Sequence, residues 1–190
     1  MRSILIIATA LVFAIVGAVV HLQATADAST ATAFTKNTPI PVYLMGAAHT
    51  PGYNDTQWRT SLEVCNFSGV SRSYELGFLH RGESNPDPAT VELALAPGLC
   101  VNYPDVVTSV FGFDEAVGTI RLTADGDGVV AVARTYNDTP DGTYGTALGA
   151  NPADRAVAHG ASTVLVHLAQ SASDTDGYRT NLELLNVTYL

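Results

Sequence analysis

Apolar and polar positions alternate with a period of two along most of the chain. Tyr74, Leu76 and Phe78 alternate with Glu75 and Gly77, Val91, Leu93 and Leu95 with Glu92 and Ala94, and Ile120 and Leu122 with Thr119, Arg121 and Thr123. That period places one face of a strand on a core and the other in water. Gly, Pro, Asn and Asp punctuate the short runs, as in an antiparallel sandwich or barrel. The run Val129 to Ala133 is apolar at every position, which predicts a central strand covered on both sides, or one whose outer face meets a neighbour. Asp125-Gly126-Asp127-Gly128 predicts a hairpin turn into that run, and Thr139-Pro140-Asp141-Gly142 a second turn, because Asp-Gly pairs accept positive φ readily. Helical periodicity is confined to Asp105 to Phe111, with Asp105 as cap and Gly112 as stop. The expected fold is therefore all-β, an antiparallel β-sandwich of immunoglobulin-like or jelly-roll-like kind with at most one short helix.

A second pattern overlies the first. Trp58-Arg59-Thr60-Ser61-Leu62-Glu63-Val64-Cys65-Asn66 returns without a gap as Tyr178-Arg179-Thr180-Asn181-Leu182-Glu183-Leu184-Leu185-Asn186. A period of about 120 residues is domain-sized and indicates tandem whole domains rather than a small-repeat solenoid. The expected organisation is a signal peptide over 1–28, a flexible Ser/Thr/Ala-rich linker over 29–38, a β-sandwich module over 39–160, and the first hairpin of a second, truncated repeat over 161–190. That hairpin, with Val164 to Val166 and Tyr178 to Asn186 as its strands, is expected to join the sheet of the first module, with strand addition to a neighbouring copy as the alternative.

The N-terminus changes the cellular picture. Arg2 is followed by an uncharged apolar run from Ile4 to Val20 and by overlapping small-x-small sites at Ala24-Thr25-Ala26 and Ala26-Asp27-Ala28. This is the layout of a secretory signal peptide. An uncleaved N-terminal anchor is the alternative, since the run sits at the short edge of what spans a bilayer. Secretion or cell-surface display follows, with no membrane contact after signal cleavage. A formal charge of −9, from 18 acidic against 9 basic residues, excludes a phosphate-backbone reader. Cys65 and Cys100 are the only cysteines, and in an oxidising compartment they predict one disulfide. Two buried free thiols are the competing reading, and Leu185, which stands where the first copy has Cys65, shows an apolar residue serving there.

Catalytic signatures are missing: there is no Gly-x-Ser-x-Gly elbow, His-Glu-x-x-His pair, Cys-x-x-Cys or phosphate-cradling loop. His49, His80, His159 and His167 are isolated and read as loop or strand-edge polar residues. Asp125 and Asp127 begin like a calcium loop, but apolar strand follows them. No metal, cofactor or catalytic residue is expected. The candidate binding residues are the aromatics Trp58, Tyr53 and Tyr144, for stacking on a sugar face. For Trp58, recurring as Tyr178 before an arginine, a structural strand-start role is the better reading. Asn66 and Asn186 are expected to end their strands by bonding local backbone.

The ordered series Trp58-Arg59-Thr60, Leu95-Ala96-Pro97-Gly98, Asp105-Val106-Val107, Arg134-Thr135-Tyr136-Asn137 and Gly142-Thr143-Tyr144-Gly145 resembles a tandem β-sandwich module of secreted bacterial proteins. The resemblance covers residues 40 to 190 and implies a non-catalytic module, sometimes placed beside extracellular protease or other surface domains. The expected function is adhesion, assembly or spacing at the cell surface, with another protein chain or a surface polysaccharide as partner and no nucleic acid. The alternatives are a carbohydrate-binding module and a fragment of a larger secreted enzyme.

Overall fold

A computed structural model describes residues 4–9, 40–166, 168–172 and 180–188, giving the backbone alone for 4–9 and Asn54. Most of the predicted signal peptide, the linker 29–38, His167 and the Tyr178-Arg179 half of the repeat lie outside the described residues.

The protein is an all-β antiparallel sandwich. One sheet has the order β10 (Asn151–Pro152), β2 (Val42–Pro51), β7 (Ala116–Ala124), β4 (Arg72–His80), β5 (Ala89–Leu95). The other has the order β6 (Cys100–Tyr103), β3 (Gln57–Asn66), β8 (Val129–Thr139), β9 (Gly142–Gly149). The two sheets meet where the end of β2 pairs with the start of β3, Thr50 opposite Trp58. The succession β2-β7-β4 facing β3-β8-β9 is the B-E-D and C-F-G order of immunoglobulin-like sandwiches, which selects that alternative over the jelly roll.

The alternation seen in the sequence becomes the core. Leu44, Tyr74, Leu76, Phe78, Ile120 and Leu122 from the first sheet meet Leu62, Val64, Ala131 and Ala133 from the second. The short helix α1 (Val106–Ser109) adds the fully buried Val106 and Val107. The amide of Gly112 closes on Thr108 O beyond the helix, as the stop signal predicts. Asp105 precedes α1, but its carboxylate makes no cap bond and is committed elsewhere. Within β2 the register shifts between Met45 and Ala47, around Gly46 at φ +84°. The bulge changes the parity of the strand, so that both Leu44 and Ala47 reach the core.

Three further expectations are corrected. The Asp125–Gly128 segment is not a hairpin turn: β7 and β8 belong to different sheets, and the segment is the corner between them. Its polar groups are spent there, because Asp125 accepts the Ser73 amide and Arg72 donates to Asp127 O. The Thr139–Gly142 turn is a true hairpin between β8 and β9. Nor is β8 covered on both faces: Ala131 and Ala133 are buried, whereas Val130 and Val132 stay 55% and 45% exposed on an outer face that carries no further layer among the described residues.

The third correction concerns the repeat. Val164 to Val166 form no strand, and β11 (Asn181–Asn186) joins neither sheet of the sandwich. It pairs instead with β1 (Ile4–Thr9), a stretch inside the predicted signal peptide, as a separate two-stranded ribbon. This arrangement has a packing reason. The outer face of the first sheet carries Tyr43, Met45 and Leu79, and Leu185 and Val187 pack against them as a third layer.

Candidate functional site

Polar chemistry concentrates on the outer face of the second sheet and at its Asp105 end. Register sets the rows: Arg59 stands opposite Tyr136, and Ser61 opposite Arg134, across β3 and β8. On β9 the neighbours in these rows are Gly145 and Ala147, so small side chains leave the face open. The Arg134 guanidinium lies 5.0 Å from the Tyr136 ring centroid and donates to Thr143 Oγ1 at 3.0 Å. The Tyr136 hydroxyl donates to Pro104 O at 3.1 Å. Burial, reinforced by the Asp105 and Asp138 carboxylates and opposed by Arg134 and Arg59, holds this phenol above its ordinary pKa, so it remains a donor. Ser61, Asn102, Pro104, Arg134, Tyr136, Asp138 and Thr143 line a shallow depression there.

Beside it, Asp105 joins three elements. Its Oδ2 lies 2.6 Å from His49 Nδ1 on β2 and 3.5 Å from Arg59 Nε on β3. Its Oδ1 is buried without a hydrogen-bond partner among the described residues. Thr108 Oγ1 stands 2.8 Å from the same His49 nitrogen and donates its own hydrogen to Phe113 O. A carboxylate only accepts, so the proton sits on Nδ1 and is shared between two acceptors. In a hydrolytic relay the hydroxyl faces the ring nitrogen opposite the carboxylate. Here hydroxyl and carboxylate meet one nitrogen, so Thr108 does not stand where the hydroxyl of such a relay would. His49 is thus not the isolated residue its sequence position suggests.

The sequence-predicted aromatics gather at one end of the sandwich. Trp58, Asn137 and Tyr144 form one cross-strand row over β3, β8 and β9. Asn137 is fully buried; its Oδ1 accepts the Gln57 amide at 2.6 Å and its Nδ2 donates to the Tyr144 hydroxyl at 2.5 Å. Trp58 is partly buried under the loop before it, where a Cβ on Gly52 would stand 2.5 Å from the indole nitrogen. Gly52, lacking a Cβ, leaves the indole room there. Tyr53, in a 3-10 turn of the same loop, is 83% exposed.

Cys65 and Cys100 are bonded as a disulfide across β3 and β6. Glu63 and these two sulfurs are the one cluster of three metal-ligating groups among the described residues, and the bridge already occupies both sulfurs. Asn66 ends its strand as expected: Nδ2 donates to Val70 O and Leu95 O, and Oδ1 accepts the Ser68 amide. Asn186 repeats the motif, accepting the Thr188 amide on Oδ1 at 3.1 Å. His80, read as a strand-edge polar residue, sits among Phe78 and Phe113 with ring centroids 5.0 Å away.

No protein-family model matches the chain, and no curated protein sequence matches it. Among solved structures the chain is similar to the crystal structure of Thermotoga maritima 1070, with a TM-score of 0.45 and 11% identity over 58% of this chain and 91% of that one.

Proposed function

We propose that this protein is a non-catalytic, exported β-sandwich module that works by assembly at the cell surface, and that β11 is a strand of a second sandwich unit. One observation carries this reading. Leu182 and Leu184 occupy the repeat positions of Leu62 and Val64, which are fully buried in the first unit, yet they are 50% and 56% exposed. β11 turns Glu183 and Leu185, the counterparts of outward-facing Glu63 and Cys65, onto the module below. The face that builds a core in β3 therefore looks outward in β11. Half-exposed leucines in register on one strand are the pattern of a surface awaiting a partner.

Cross-linking on intact source cells, followed by peptide mapping, tests the proposal. Recovery of the chain outside the cytoplasmic membrane with cross-links from residues near β11 to a protein is the expected result. An exclusively cytoplasmic chain, or turnover in a hydrolase panel that vanishes with one side chain, overturns it.

A second reading rests on the Trp58-Asn137-Tyr144 row with exposed Tyr53 beside it, a cluster suited to a surface polysaccharide. Trp58 is the sole tryptophan, so its fluorescence reports directly. A saturable shift on adding polysaccharide supports this reading, and an inert signal across neutral and acidic polysaccharides removes it.

A further inference from the structure

We propose that the occupant of the open face of β11 is a second copy of this chain, with β11 of one copy adding as a strand to the β9 edge of the next. The inference rests on the assembly reading and adds the partner and the acceptor site.

The acceptor follows from comparing the sheet edges. β10 is two residues long and contains Pro152, and β6 spans four residues. β5 carries Glu92 and follows Asp87-Pro88. These are the devices by which proteins blunt an edge: shortness, proline and charge. β9 has none of them. It runs from Gly142 to Gly149 as GTYGTALG, without charge or proline, and among the described residues it pairs on one side only, with β8. Its core-side residues are Tyr144, Thr146 and Leu148, and each keeps some exposure.

The donor complements this edge. β11 repeats β3, whose place in the sandwich is beside β8 with Leu62 and Val64 facing inward. Set beside β9, Leu182 and Leu184 would extend the same inner face across Tyr144 and Leu148. Removal of a signal peptide would take β1 away from β11 and free one backbone edge for this pairing. Donor and acceptor lie on different parts of the molecule, one over the outer face of the first sheet and one at the rim of the second. Such a contact is heterologous and propagates head to tail.

Sedimentation velocity on the exported chain at increasing micromolar concentration tests the idea. Self-association is expected, and Leu184→Glu on the donor and Ala147→Glu on the acceptor should each weaken it by about tenfold or more. Both positions are exposed, so both variants should keep the native melt and Trp58 emission. Should Leu184→Glu misfold, Leu182→Lys replaces it. A wild-type chain that stays monomeric overturns the proposal, as does self-association indifferent to the Ala147 change. If a monomeric chain still cross-links through β11 to another protein on cells, the assembly reading stands and only the self-pairing fails.

Discussion

Thr60 and Thr135 face each other across β3 and β8 inside the sandwich, with their hydroxyl oxygens 2.9 Å apart. Together they serve the backbone of the opposite sheet at its bulge. Thr60 Oγ1 accepts the Ala48 amide at 2.7 Å, and Thr135 Oγ1 donates to Gly46 O at 2.8 Å. Gly46 lies at the register shift of β2, and in a dry core an unpaired backbone group is costly. Two threonines thereby join the sheets through hydrogen bonds as well as through apolar contact. Thr60→Val keeps the shape and removes the acceptor, and should cost about 1–3 kcal/mol. Thr135→Val should cost a similar amount, and the double variant should cost less than the sum because the two hydroxyls share one network. Denaturant melts of the three variants measure this; full additivity would show two independent sites.

Asn137 offers a test that separates structure from ligand binding in the aromatic row. It joins Gln57 and Tyr144, and is itself inaccessible. Asn137→Leu should destabilise by about 1–3 kcal/mol by stranding the Gln57 amide. If Trp58 and Tyr144 serve only packing, the loss will appear in the melt alone. Any polysaccharide-dependent fluorescence change that the variant abolishes while still folded at the assay temperature would assign the row to binding.

The sequence made some of this legible and concealed the rest, for identifiable reasons. Period-two alternation marked β4, β5 and β7, since each has one face on the core. Asp-Gly chemistry at 125–128 specified a change of direction, but a turn does not say which sheet the next strand joins, and here β8 joins the other one. The constant-offset match to β3 marked residues 181–186 as a strand, and they form β11. It could not reveal that the strand would lie upside down, because both faces of β11 carry leucine. His49 and Asp105 stand 56 residues apart and meet only through tertiary packing, so no local pattern could pair them. The clue that was present is that Asp105 could serve either as a helix cap or as an ion-pair partner, and the neighbouring Arg59 and His49 decide it.

The disulfide provides a third prediction. Cys65 and Cys100 are separated by 35 positions in sequence, and closing such a loop stabilises by roughly 3–4 kcal/mol in the chain-entropy model. Cys100 is exposed on the outer face, so a mild reductant should reach the bridge without prior unfolding. Intact mass should rise by two hydrogens on reduction, and the melting temperature should fall with it. A Cys65→Ala, Cys100→Ala double variant should match the reduced protein. A melt unchanged by reduction would show that the cross-strand pairing of β3 with β6 holds that loop unaided.

Glu183 should make the docking of β11 pH-dependent. Its carboxyl is carried onto the outer face of the first sheet, where Thr119 Oγ1 donates to it at 3.4 Å. Burial raises its pKa above the ordinary 4.5, and this outweighs the opposing contributions of the Gly46 backbone, Arg81 and Thr119. A raised carboxyl pKa means that the docked state binds a proton more tightly than the undocked one. Docking should therefore be firmest at acidic pH and should weaken as pH rises from the ordinary glutamate range through the raised value. Above that range the weakening is complete. Glu183→Gln, which cannot ionise, should dock at neutral pH as firmly as the wild type does in acid, with a flat profile. Hydrogen exchange of the Leu184 and Leu185 amides, corrected for intrinsic rates and followed from acidic to neutral pH, gives the measurement. Protection that rises with pH in the wild type would refute the burial argument. A pH dependence that survives Glu183→Gln would place the titrating group elsewhere on the ribbon.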